Sequence, residues 1–186
     1  MNNVVGFMIA KGASRRLKGK NALVFCGRPL FEWNLEKLLK LGIPVHFDSD
    51  DENLLERAKT MGAVVRRRPK KLCGHDVPSV PIFQDMAKGL SEKPKAILNL
   101  QANSPNCSQR VIEQCLAVAR NVPFNELLTV YPDRRNNGSV WGFSYDRLMN
   151  YGDPYVQRSD VLIVDDSVDI HTIDDFKKAE RLFCKP

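Results

Sequence analysis

The stretch Val4-Val-Gly-Phe-Met-Ile-Ala-Lys-Gly-Ala-Ser-Arg-Arg-Leu-Lys-Gly-Lys-Asn21 decides how this chain folds. Its opening, Val4 to Ala10, is an apolar run of the length and kind that makes a buried strand. The run stops at a glycine-containing turn, and Ser14, Arg15, Arg16, Lys18, Lys20 and Asn21 then follow within eight residues. A strand that breaks into such a loop presents backbone N–H groups and fixed positive charge together. That combination suits a polyphosphate, so the loop reads as a nucleotide-binding element.

Outward from this loop, short apolar strands alternate with helical patterns. Strands are expected at Val4–Ala10, Pro44–Asp48, Ala63–Arg67, Ala96–Gln101, Leu127–Tyr131 and Val161–Val164, and helices at Leu30–Leu41, Glu52–Met61, Val80–Leu90, Gln109–Arg120 and Asp174–Phe183. The alternation predicts a three-layer α/β/α fold, a mainly parallel sheet with helices on both faces. Gly42 and Gly62 follow the first two helices where helix-ending glycines belong. Ser49, Asp50 or Asp51 can cap the second helix and Ser108 the fourth. Pro132 to Gly138 reads as a polar turn, and Ser139 to Tyr145 alternates as a solvent-facing strand would. In open sheets of this type ligands bind beyond the carboxyl ends of the strands. The Lys11–Asn21 loop falls there, as do the loops after the third and fourth strands.

The chain of 186 residues is long enough for one full core and is expected to form a single domain over 1–186. No segment approaches a transmembrane helix, and the N-terminus lacks a charged-then-apolar leader. A cytoplasmic setting without membrane contact is expected. Cys26, Cys73, Cys107, Cys115 and Cys184 are odd in number and show no CxxC pairing, so they read as free thiols. The net charge of +6 is concentrated at Arg15 to Lys20 and at Arg66 to Lys71. Neither cluster is interleaved with aromatics, which ranks small anionic substrates above nucleic acid.

Ala10-Lys-Gly-Ala-Ser-Arg-Arg-Leu-Lys-Gly-Lys-Asn21 resembles the nucleotide-binding signature of the CMP-sugar synthetases, the acylneuraminate cytidylyltransferases and their CMP-Kdo synthetase relatives. The usual pattern there is Ala-Arg-Gly-Gly-Ser-Lys, an apolar and basic spacer, then Lys-Asn. Gly12, Ser14, Leu17, Lys20 and Asn21 match, Arg15 replaces Lys, and Lys11 stands where Arg is usual. Gly27-Arg-Pro-Leu30 is similar to the Gly-Lys-Pro-Leu that opens that family's first helix. Arg66-Arg-Arg-Pro-Lys-Lys-Leu-Cys-Gly-His-Asp-Val-Pro-Ser79 resembles its Arg-Arg-Pro-x-x-Leu segment through Arg68, Pro69, Leu72, Asp76 and Ser79. Asn99-Leu-Gln-Ala-Asn-Ser-Pro105 resembles its Leu-Gln-Pro-Thr-Ser-Pro or Gln-Gly-Asp-Glu-Pro. Val168-Asp-Ile-His-Thr-Ile-Asp-Asp-Phe176 resembles its Asp-Ile-Asp-Thr-x-Glu-Asp-Phe.

The resemblance implies a Rossmann-like nucleotidyltransferase fold and a cytidylyltransferase. Such an enzyme joins CTP to a 2-keto sugar acid, sialic acid or Kdo-like, and releases pyrophosphate. It implies catalytic roles for Lys11, Arg15, Lys20 and Asp169. Nucleotide contacts would come from Ala10, Gly12, Ala13, Ser14, Asn21, Arg68, Val77 and Ser79, and acceptor contacts from Gln101 and Asn103. The implied cofactor is Mg2+ or Mn2+, held at Asp169. His171 stands where a second metal-binding Asp is usual, and imidazole is a poor magnesium ligand. Three readings stay open: magnesium on Asp169 with the CTP phosphates, a manganese preference, or weak or lost activity. Family members also carry a dimerisation arm for which Pro132 to Ser167 leaves little room. A homodimer would have to form without it.

Other readings remain beside this one. Thr172 with Asp175 makes a capping box with no need of catalysis. Trp33 and Trp141 read as core or interface aromatics, and His46 and His75 as structural or surface histidines. A molybdopterin guanylyltransferase of similar size, a non-catalytic nucleotide-binding protein of the same fold, and more distantly a nucleic-acid binder are the alternatives.

Overall fold

The computed structural model describes residues 3–152 and 160–184. Strand β1 (Val4–Ala10) forms as expected and is buried along nearly its whole length, because its apolar run leaves no polar face for water. A short hairpin, β2 (Val24–Phe25) and β3 (Arg28–Pro29), leads into α1 (Leu30–Leu39). Then come β4 (Val45–Ser49), α2 (Glu52–Thr60), β5 (Val64–Arg67), α3 (Ser79–Lys88), β6 (Ala96–Leu100) and α4 (Gln109–Asn121). The chain ends with β7 (Glu126–Val130), β8 (Asn136–Ser144), α5 (Tyr145–Met149), β9 (Val161–Val164) and α6 (Ile173–Phe183).

The main sheet has the order β5-β4-β1-β6-β8-β7-β9. All pairings are parallel except those of β8, which runs antiparallel between β6 and β7. Leu35 and Leu38 of α1, Leu54 and Ala58 of α2, and Ile112 and Cys115 of α4 bury one face of the sheet. Ile82, Phe83 and Met86 of α3, with Leu148 of α5, bury the other. The α/β/α layering read from the sequence is therefore the observed fold. No helix among the described residues is long and apolar enough to cross a membrane.

Local capping follows the sequence closely. Asp51 caps α2, Ser108 caps α4, and Thr172 with Asp175 forms a full capping box on α6. Helix α1 stops at Leu39, short of the expected Leu41.

Two expectations fail. Asn136 to Gly138 was expected in a turn and Ser139 to Tyr145 to face solvent, but Tyr145 opens α5 and Asn136–Ser144 is β8, an interior strand with Val140 and Phe143 buried. Its small and polar residues are there because β8 pairs on both sides and carries a side-chain network, not because it is wet. The second failure is the set of five free thiols. Cys26, just after β2, is disulfide-bonded to Cys184, just after α6, across 158 residues of sequence. Cys73, Cys107 and Cys115 are free. The bond closes a small third core of Phe25, Leu30, Ile170 and Phe176, against which Leu17, Trp33 and Phe183 pack.

Candidate active site

The loop after β1 is held in place by its own polar groups. The Gly12 N–H donates to Asp50 Oδ1 at 2.9 Å. A Cβ at Gly12 would come within 2.5 Å of Asp51 Oδ2, so only glycine lets the loop pass this close to the cap of α2. The buried Asn21 donates from Nδ2 to the Lys11 carbonyl at 2.9 Å, tying the two ends of the loop together. Lys11 Nζ reaches the Gly74 carbonyl at 2.8 Å, and Lys20 Nζ reaches the Ile170 carbonyl at 2.6 Å. One loop thus grips the segment after β5 with one lysine and the segment before α6 with another.

Two cavities open over this loop, and another adjoins them at His171. The first, of about 290 Å³, is walled by Lys11, Ser14, Arg15, Arg16, Lys20 and His75, with Ala13, Leu17 and His171 completing it. Cations crowd here without a matching set of anions. Burial pushes Lys20 down to about 8, although the Asp169 charge works the other way. Burial, helped by Arg68, also lowers Lys11. Several donors held close while partly desolvated make a ready-made anion site.

The third cavity, of about 340 Å³, runs from Ile9 and Asn21 past Arg68, Val77 and Ser79 to Gln101 and Asn103. Arg68 belongs to the basic run Arg66 to Lys71, yet its side chain is fully buried against Asp48. Nε donates to Asp48 Oδ1, and Nη2 to the Asp48 carbonyl at 3.1 Å. Nη1 is buried and has no partner. A guanidinium clamped on one edge with a free donor on the other is set to read a polar edge of a ligand.

The second cavity, of about 280 Å³, has a different lining: Gln101, Asn103, Asn136, Asn137, Gly138, Leu128 and Trp141, with Asp169 and His171 at its inner end. Asn103 donates from Nδ2 to Asp169 Oδ1 and to the Ile170 carbonyl. Its own carbonyl accepts the Ile170 N–H at 2.9 Å. His171 Nε2 lies 2.6 Å from Asp169 Oδ2. The loop bearing Gln101 and Asn103 is clamped from α1. Asn34 donates to the Gln101 and Ser104 carbonyls, both at 2.7 Å, and Lys37 to the Pro105 and Cys107 carbonyls at 2.5 and 2.8 Å.

Lys11, Ala13, Ser14, Arg15, Lys20, Asn21, Arg68, Val77, Ser79, Gln101, Asn103, Asp169 and His171 all line at least one of these cavities. Ala10 and Gly12 lie at the base of the loop and line none of them. Arg15 is mostly exposed and sits 4.0 Å from Asp76. Several lining residues were not among the expected site residues, among them Arg16, His75, Asn136, Asn137 and Trp141. Arg16 was visible as a charge in the loop. His75 and Trp141 gave no local signal, because each is brought in by its strand or loop.

An N-acylneuraminate cytidylyltransferase of Oncorhynchus mykiss is 26% identical over 130 residues, covering 69% of this chain and 30% of that protein. A pseudaminic acid cytidylyltransferase of Campylobacter jejuni is 30% identical over 111 residues, covering 56% of this chain and 48% of that protein. The chain thus spans less than half the length of these relatives. Among solved structures, a CMP:2-keto-3-deoxy-manno-octonic acid synthetase complexed with CTP aligns with a TM-score of 0.77 at 14% identity, over 98% of both chains. A Mycobacterium tuberculosis protein complexed with manganese aligns at 0.67 and 14%, over 96% of this chain and 98% of that one. At such identities these structures share the fold. The family description "Cytidylyltransferase" matches residues 6–179, and with nearly the whole chain inside that match, the protein belongs to the cytidylyltransferase family of nucleotidyltransferases.

Proposed function

We propose that this chain transfers CMP from CTP to a 2-keto sugar acid and releases pyrophosphate. The observation that carries the reading is the position of His171, which lines all three cavities beside Asp169. A cation-rich cavity, a cavity with a free guanidinium edge and a carboxamide-lined cavity therefore meet at one point. That is the geometry for a triphosphate, a base with its ribose, and a polyhydroxy acceptor.

In this reading Lys11, Ser14, Arg15 and Lys20 hold the triphosphate, and Asn21 keeps their loop shaped to do so. Arg68 Nη1 faces the base, with Val77 and Ser79 along the nucleoside. Gln101 and Asn103 orient the acceptor. The acceptor's anomeric hydroxyl attacks the α-phosphorus and passes its proton to water or to the departing pyrophosphate. The new O–P bond forms as the bridging bond to the β-phosphate breaks. No covalent enzyme intermediate is needed, so the protein contributes positioning and charge neutralisation.

The donor set fits a divalent ion carried in with the nucleotide. Magnesium is commonly held by one or two carboxylates plus substrate phosphates, and Asp169 supplies one carboxylate. Among the described residues no three His, Cys, Asp or Glu converge into a closed cage. When bound, the ion would neutralise charge at the α-phosphate. His171 as the neighbouring donor is better tolerated by manganese than by magnesium.

The span from 132 to 167 holds β8, α5 and β9, with residues 153–159 outside the described part. That brevity supports a reduced or missing dimerisation arm in a single cytidylyltransferase-like domain over 1–186. CTP as donor supports a cytoplasmic setting.

The test is pyrophosphate release with each nucleoside triphosphate, Mg2+ or Mn2+, and a panel of sugar acids including sialic acid and Kdo. CTP-specific release that depends on one sugar acid is expected. A second reading, nucleotide binding without turnover, is favoured by the contact of His171 with the site's carboxylate. It would prevail if CTP bound but no pairing released pyrophosphate.

A further inference from the structure

Trp141 projects from β8 onto the same sheet face as Asn99 of β6 and Leu128 of β7, its partners in register. Its ring is wedged in place on several sides. Phe83 and Tyr151 meet it edge-on at 6.2 and 5.8 Å, and Phe143 lies at 4.7 Å. Its indole N–H is already used, donating to Glu126 Oε1 at 2.9 Å. Glu126 in turn is locked to the buried Arg147 at 2.9 Å. What Trp141 offers the second cavity is therefore carbon surface, held rigid by a buried ion pair behind it.

Leu128 adds to that surface from the neighbouring strand, and both residues line the cavity beside Gln101, Asn136 and Asn137. The apolar surface runs on. Leu162 of β9 is in register with Leu128 and is 54% exposed. The cavity thus has two unlike kinds of lining. The Gln101 and Asn136 carboxamides can answer hydroxyl groups, that of Asn137 being taken up by Thr129, Ser139, Asp165 and Ser167. The aromatic plane of Trp141 and the aliphatic carbon of Leu128 answer C–H faces and apolar substituents.

Resting on the reading of this cavity as the acceptor site, we propose that Trp141 and Leu128 select the acceptor. They favour a sugar acid that carries an apolar substituent, an acyl or methyl group, over one bearing only hydroxyls at that position. The substituent lies over Leu128 toward Leu162, with the sugar ring against Trp141. In an apolar pocket one methyl-sized group is worth roughly tenfold or more in discrimination, so the selection is measurable.

Trp33 and Trp141 are the two tryptophans of the chain, so Trp33→Phe leaves Trp141 as the reporter. This variant, loaded with a non-hydrolysable CTP analogue, is titrated with N-acetylneuraminic acid and with the same sugar acid carrying a hydroxyl in place of the acetamido group. The emission of Trp141 is expected to change saturably, with a Kd for the acylated acid about tenfold lower. Adding Leu128→Ala is expected to bring the two Kd values within about twofold. Equal Kd values for the two acids, or no emission change, with the nucleotide analogue bound would overturn the proposal alone. Failure to bind the nucleotide analogue would overturn the transferase reading and this proposal with it. If Leu128→Ala unfolds, Leu128→Thr serves, with the same expected loss of preference.

Discussion

Nε2 of His171 lies 2.6 Å from Oδ2 of Asp169, and the Asn103 amide donates to the other oxygen of the same carboxylate. Both oxygens of the site's carboxylate are engaged before any ligand arrives. An ion held at Asp169 would have to compete with an amide and an imidazole for the carboxylate, and the imidazole is a nitrogen donor that magnesium accepts poorly.

The first prediction concerns that pair. The wild-type chain is expected to work better with manganese than with magnesium, and His171→Asp to reverse the preference by about tenfold. Changes next to a metal ligand typically shift affinity or activity by roughly 10–100-fold. Pyrophosphate release with each ion measures the ratio. An unchanged ratio in the variant would mean that His171 stands outside the ion's reach.

Lys20 ties the nucleotide loop to the Ile170 carbonyl, and burial lowers it to about 8. It carries its charge below that pH and loses it above. CTP affinity is therefore expected to be flat below pH 8 and to fall as pH rises beyond it, with the midpoint displaced upward once the triphosphate is bound. Lys20→Met should bind CTP roughly 10–100-fold more weakly, the usual worth of a hydrogen bond to a charged group, and show a shallower pH dependence. Titration calorimetry between pH 6.5 and 9.5 checks both. A variant that binds as tightly as wild type would remove Lys20 from the triphosphate site.

What could be read in advance divides by the range of the signal. The β1 strand, the loop to Asn21, the cap at Asp51 and the capping box at Thr172 are local patterns, and each appears where expected. The antiparallel placement of β8 is not local. Asn136–Ser144 is short of continuous apolar character because Asn137 and Ser139 bond to the Thr129 hydroxyl and Asp165 across neighbouring elements. In sequence those polar residues look like a wet turn. The same holds for Cys26 and Cys184, whose meeting needs the β2–β3 hairpin and the end of α6 to share a core. Trp141 reads as a core aromatic because half of it is one. Arg68 was legible as a site residue by resemblance, but its burial on Asp48 was not.

Lys37 shows how burial couples to stability. It reaches the Pro105 and Cys107 carbonyls from α1, and burial lowers it to about 8 from an ordinary 10.5. Between those values the unfolded chain holds the proton and the folded chain has released it. The unfolded state binds more protons there, so this group makes stability rise with pH from about 8 to 10.5. Below 8 both states are charged and its contribution is level. Lys37→Met should lose that rise. The stability difference between wild type and variant is expected to move in favour of wild type by on the order of 2–3 kcal/mol between pH 8 and 10.5. Urea unfolding of both proteins at the two pH values measures it, and parallel curves would refute it.

The Cys26–Cys184 bond closes nearly the whole chain into one loop. Removing such a link by Cys184→Ser, or by reductant, is expected to cost about 2–4 kcal/mol of stability. Thermal melts with and without dithiothreitol test it. The wild type should fall to the level of the variant in reductant, while the variant itself stays put. A wild-type melt indifferent to reductant would mean that the two thiols are not joined in solution.

The last prediction separates structure from recognition at Arg68. Its carboxylate partner Asp48 is fully buried and also accepts from Arg66 Nε at 2.8 Å, while Arg66 Nη1 goes on to Asp85 at 2.8 Å. Asp48→Asn leaves the buried Arg68 guanidinium without its counter-charge, while Arg66 keeps Asp85. Breaking a buried pair from one side typically costs about 3–5 kcal/mol, so this variant should lose much of its stability. Arg68→Lys keeps a charge opposite Asp48 but gives up the fork with its buried, unpartnered Nη1. It should fold with little loss, yet bind CTP more weakly and discriminate less between CTP and UTP. Binding of both nucleotides to Arg68→Lys, with thermal melts alongside, decides the matter. If the lysine variant keeps wild-type preference for CTP, the free guanidinium edge does not read the base and Arg68 is there only to hold β4 and β5 together.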